Sequence, residues 1–175
     1  MKTSMIWVLL ICIIIAISII VIISNKENEV SREMLSDSEI NDYIIDLWVN
    51  YDENNKYTQE QLVVISLTAY DSEINNGGLN QFFSNSSREF APIISDSLDK
   101  VKALKHKELF DNFIKENKID LKKLESFDTD NVDEFIDQYD EYPFDEFDSE
   151  YYQLESLTNL ILAYSKNNYN KIIKK

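Results

Sequence analysis

Apolar positions are unevenly spread along this chain, and the first concentration is continuous rather than periodic. From Met5 to Ile23 nineteen residues pass without a charge, most of them Ile, Leu or Val. As a helix rising about 1.5 Å per residue the run reaches roughly 28 Å, close to the roughly 30 Å of a bilayer's hydrocarbon core. A cleaved signal peptide has a shorter apolar run with small residues at the cut, and a lipoprotein needs a small residue where Ile11 precedes Cys12. The pattern therefore predicts a leader over 1–4, an uncleaved single-pass membrane anchor over 5–23 and a polar tether over 24–35. Lys2 and the terminal amine balance Lys26 and Arg32 across the run. A leader this short stays inside, which favours the outer side for the rest of the chain.

Beyond the tether the apolar positions return at helical spacing. Ser36 and Glu39 have the form of a capping box, and Ile40, Tyr43, Ile44, Leu47 and Trp48 follow on one face. Thr58 and Gln61 repeat the signal ahead of a second helix, apolar around much of its girth from Leu62 to Ile74. Gly77 and Gly78 then predict a helix stop, since a C-terminal stop favours a residue that tolerates positive φ. Leu79, Phe82 and Phe83 open a short helix. Ser86 or Ser87 is placed to cap another, with Pro92 in its first turn and Ile93, Ile94, Leu98, Val101 and Leu104 along its stripe. Leu109, Phe110, Phe113 and Ile114 mark a further helix, and residues 131–139 another. After Pro143 one long last helix is predicted from about Phe147, with Tyr151, Leu154, Leu157, Leu160, Ile161 and Tyr164 inward.

Composition agrees with this reading. Two glycines and two prolines in 175 residues leave few breakers for strand turns, while 44% apolar residues suffice for a core. The expected fold class is all-α: a compact multi-helix acidic domain over 36–170 behind one N-terminal transmembrane helix. Seventeen basic against 32 acidic residues give a net charge of −15, which disfavours direct nucleic-acid binding and anionic surfaces. One cysteine allows no internal disulfide, and a single histidine builds no His-rich metal site. His106, among Lys102, Lys105 and Lys107, reads as a surface residue.

The charge is also segregated. Lys100 to Lys123 carries eight lysines against four acids, whereas Glu125 to Glu155 holds thirteen acids and no base. Phe127, Phe135, Tyr139, Tyr142, Phe144, Phe147, Tyr151 and Tyr152 interleave with those acids, so the rings can pack inward and hold carboxylates on an ordered surface. The candidate partner-binding face is Asp133, Glu134, Asp137, Asp140, Glu141, Asp145, Glu146, Asp148 and Glu150. The alternative is a plain solvated face. Asp128 to Asp133 opens like a calcium loop, but Val132 stands at the fifth position, Asp133 replaces the Gly and Tyr139 the closing Glu, so it is not an EF-hand. No catalytic residues, metal ligands or cofactor are assigned.

The run Glu73-Ile74-Asn75-Asn76-Gly77-Gly78-Leu79-Asn80-Gln81-Phe82-Phe83-Ser84-Asn85, with Phe144 to Tyr152 and then Leu157 and Tyr164, resembles the acidic all-helical domain of bacterial DNA-mimic proteins and their uncharacterised relatives, the DUF4375 or DNA-mimic type. The likeness spans roughly Ile40 to Tyr164. It departs at Arg88, near a usual Gly, and at Val101-Lys102-Ala103, where an Ile-Gly pair is common. What it implies is a non-enzymatic protein-binding module in which carboxylates stand in for backbone phosphates; the membrane anchor that the apolar run predicts lies outside the family's pattern. A basic protein partner follows, one that itself binds nucleic acid, as does a DNA-mimic, decoy or immunity-like inhibitory role; a homodimer is compatible with it. Glu73, Asn76, Gly77, Gly78, Gln81, Phe82, Phe83 and Asn85 form the motif. They read as structural, with a glycine stop, amides bonded to backbone and rings in the core. The alternative is an enzyme or small-ligand-binding domain with a pocket at this loop.

Overall fold

The computed structural model describes residues 14–21, 35–127, 136, 139 and 141–173. It divides into two units, Met1–Ser36 and Asp37–Lys175.

In the first unit the expectation of an anchor is corrected. The described part is a helix over residues 14–21. Among the described residues no helix is long and apolar enough to cross a membrane. The single-pass localisation, the outward placement of the acidic domain and the membrane contact through 5–23 all fall with it. An apolar run is necessary for a spanning helix but does not by itself make one. Residues 1–13 and 22–34, which include the ends of that run, the leader and most of the tether, lie outside the described residues.

The second unit is all-α, without a strand among the described residues. Its helices are α1 (Asp37–Val49), α2 (Gln59–Ser84), α3 (Ala91–Lys100), α4 (Leu104–Glu116), α5 (Phe144–Tyr151), α6 (Leu157–Asn167) and the short α7 (Tyr169–Ile172). Single 3-10 turns cover Ser86–Phe90 and Leu124–Phe127. The helix expected over 131–139 lies outside the described residues, save that residues 136 and 139 are helical.

Helix α2 is the hub. Val63, Val64, Ile65, Leu67, Ala69 and Tyr70 are all buried, because α1, α3, α5, α6 and α7 pack around it. Burying one large aliphatic side chain contributes about 1.5–3 kcal/mol, so this helix is the main source of cohesion. Its start is set locally: the Thr58 hydroxyl accepts the Gln61 N–H at 3.0 Å, and the Gln61 side chain accepts the Thr58 N–H at 3.0 Å. Gln61 Nε2 also donates to the Ile172 carbonyl at 2.9 Å, which fastens the far end of the domain to the same cap.

Two expectations about helix ends are revised. Ser87 caps nothing; its hydroxyl is drawn to Glu73 instead. The long last helix is two, α5 and α6, separated at residues 152–156. Ser156 caps α6 by accepting the Asn159 N–H at 3.3 Å, and the Glu155 carbonyl is held by His106 Nε2 at 2.8 Å. Apolar periodicity continues across this gap, so it could not reveal the break. His106 is likewise buried, not on the surface: it shares the inward face of α4 with Phe110 and Phe113, at positions i, i+4 and i+7. A carbonyl only accepts, so Nε2 carries the ring proton.

Candidate functional site

The glycine pair is a joint inside α2. Gly78 has φ +79° and ψ −179°, a region open essentially to glycine, and helical geometry resumes at once beyond it. The new segment needs an acceptor for its first N–H groups, and Asp148 supplies one: its Oδ1 accepts the Leu79 N–H at 2.9 Å. The approach is close, since a Cβ on Gly78 would lie 2.0 Å from Asp148 Oδ2. Burial raises the Asp148 pKa, the Leu79 N–H opposes that shift and the Asp145 charge adds to it.

Around this joint the motif residues converge on one carboxylate. Glu73 Oε2 accepts Gln81 Nε2 at 2.7 Å and Asn85 Nδ2 at 2.8 Å, and its Oε1 accepts the Ser87 hydroxyl at 2.9 Å. The amides thus bond to a carboxylate where backbone partners were expected. Phe82 and Phe83 are fully buried, the first edge-on to Tyr70 at 5.1 Å and the second stacked on Phe127 at 4.7 Å. Asn76 is exposed beside the joint.

A second carboxylate, Asp71, ties α5 and α6 to α2. It accepts the Tyr151 hydroxyl at 2.6 Å and the Thr158 hydroxyl at 2.8 Å, while Tyr152 donates to the Ile74 carbonyl at 2.6 Å. Burial, first of several causes, drives the Tyr151 pKa far upward. The ring of Phe113 stacks on Phe144 at 5.4 Å and meets Phe147 edge-on at 5.3 Å, seating α5 on α4.

What α5 presents outward is acidic. Asp145, Glu146 and Glu150 on it are exposed, as is Glu141 just ahead of it. Asp145 accepts the Tyr139 hydroxyl, and that bond pushes the Tyr139 pKa up to about 12. Glu146 and Glu150 are one turn apart on α5, which puts them on the same side. Asp148 is half-buried and engaged at the joint. Asp133, Glu134, Asp137 and Asp140 lie outside the described residues. Two acids that sequence reasoning did not select, Glu108 and Glu116 of α4, border the same groove as Glu146 and Glu150. They were hidden in the lysine-rich stretch, although their spacing from each other, two turns along one helix, was a usable signal. Among the described residues no group of acids, histidines and cysteines is arranged to hold a metal ion.

Fold and surface together define an all-helical acidic domain whose exposed carboxylates are mounted on a braced framework. The model of the DMP19-like protein family matches residues 55–168, so this chain belongs to that family, which is of the DNA-mimic type. The match carries the DNA-mimic half of the sequence resemblance and fits a basic protein partner; it carries neither the DUF4375 designation, nor an anchor, nor a homodimer. No curated protein and no solved structure matches the chain.

Proposed function

We propose that the domain is a non-enzymatic binding module that presents carboxylates to a basic protein, in the manner of a DNA mimic, decoy or immunity-like inhibitor, and that its partner uses the same basic surface for nucleic acid. The observation that carries this reading is the state of Glu141, Glu146 and Glu150: exposed, and engaged in none of the ion pairs among the described residues. Carboxylates one helical turn apart stand about 5–6 Å from each other at Cβ, on the scale of neighbouring phosphates. Exposed and outside those ion pairs, they are available to steer and hold a cationic surface. The Asn-Gly-Gly motif serves this face indirectly, because Asp148 at the joint and Tyr151 on Asp71 fix where α5 points.

The test is competition. A basic DNA-binding protein captured by the full chain is titrated against wild type and against the combined variant Glu141→Gln, Asp145→Asn, Glu146→Gln and Glu150→Gln, at low and high salt. The variant is expected to bind more weakly, to depend less steeply on salt and to displace DNA poorly, since fewer close charges remain. Unchanged affinity and salt slope would defeat the proposal.

A further inference from the structure

A groove of about 470 Å³ runs between α4 and α5, and its walls differ in chemistry from bottom to top. Phe113 and Phe147 lie buried at its base, with Leu109 and Leu154 half-exposed above them. The upper edges are exposed glutamates: Glu108 and Glu116 on α4, Glu146 and Glu150 on α5. None of the four takes part in an ion pair among the described residues. The helices run antiparallel here, since Phe113 meets Phe144 and Phe147 while His106 meets Tyr151. Glu116 therefore faces the Glu146 end of α5, and Lys105, a cation on this rim, stands towards Glu150 and Leu154.

An occupant that met only the glutamates would leave Leu109 and Leu154 wet, and a purely apolar ligand would strand four carboxylates. One kind of occupant satisfies both. From Lys105 to Glu116 the groove edge follows α4 for about 16 Å, the length of three turns of a partner helix. Rim charges at one- and two-turn intervals match lysines or arginines flanking an apolar stripe at i, i+3, i+4 and i+7. We infer that this groove receives a basic amphipathic helix of the partner, with aliphatic side chains on Leu109 and Leu154 and cations against Glu108, Glu116, Glu146 and Glu150. The inference rests on the acidic-module reading and adds to it a place and a shape for the partner.

The experiment uses the full chain and two synthetic peptides of identical Lys/Leu composition. One has its leucines on a single helical face; the other has them scrambled. The amphipathic peptide is expected to bind at least tenfold more tightly and to shift the methyl resonances of Leu109 and Leu154. Asn112, exposed on α4 between the two glutamates, offers a way to fill the groove without changing charge. Asn112→Trp should cost the amphipathic peptide tenfold or more in affinity and leave the scrambled one unaffected. Should Asn112→Trp not fold, the methyl shifts on wild type decide the matter alone. Equal binding of both peptides, salt-dependent and with no shift at Leu109 or Leu154, would overturn the groove while leaving the acidic module standing. Binding of neither peptide would overturn both.

Discussion

Replacing Gly78 with alanine tests the joint on which the acidic face depends. The residue sits at φ +79° and ψ −179°, where a non-glycine backbone costs about 1–3 kcal/mol. The new Cβ would also lie 2.0 Å from Asp148 Oδ2, so that carboxylate must move and release the buried Leu79 N–H, worth about 1–3 kcal/mol when left unpaired. Against these stands a gain of about 0.4–1 kcal/mol from a less flexible unfolded chain. The net is a loss of about 3 kcal/mol, which for a domain of this size lowers Tm by roughly 10 °C. Urea unfolding of the full chain followed by circular dichroism measures it. Repeating the substitution in an Asp148→Ala background removes the collision and should leave only the backbone part, about half the effect. At Gly77 the φ of −159° is open to any residue and an added Cβ meets the Gln81 side chain rather than Asp148, so alanine there carries no left-handed backbone cost and should cost less. A loss under about 1 kcal/mol for Gly78→Ala, or equal losses at both glycines, would refute the argument.

Three further outcomes follow from the same geometry. Glu73→Ala strands the Gln81, Asn85 and Ser87 donors that now share its carboxylate and should cost about 2 kcal/mol, with Glu73→Gln in between, read from denaturation midpoints. Lys102 holds φ +65° after α3, so Lys102→Gly should stabilise the domain by about 1 kcal/mol, while destabilisation would show that its side chain matters more than its backbone. Asp148 has a raised pKa in the fold, so the native state holds its proton to higher pH than the unfolded chain, and its contribution falls as pH rises from the usual aspartate value through the folded one. Asp148→Asn keeps an oxygen for the Leu79 N–H and should flatten that part of the pH–stability profile. An unchanged profile would count against the assigned cause.

Local chemistry was readable from the chain by itself. The Thr58 and Gln61 cap, the stripes that became α1 to α4, the glycine break in α2 and the acids of α5 each depend on residues within a turn or two, and hydrogen bonding and periodicity act over that distance. The tertiary structure decided whatever joins distant positions. Asp148 was selected as a surface acid, yet it caps a helix start 69 residues earlier in the chain. His106, set among lysines, turns inward because Tyr151 and the Glu155 carbonyl wait there. The last helix divides at residues 152–156, where Tyr152 reaches back to Ile74, a contact that no apolar period encodes. The groove shows the same limit. Glu146 and Glu150 were legible as an acidic pair, but Glu108 and Glu116 join them only because aromatic packing lays α4 antiparallel to α5, and such packing is a property of the assembled core rather than of either segment.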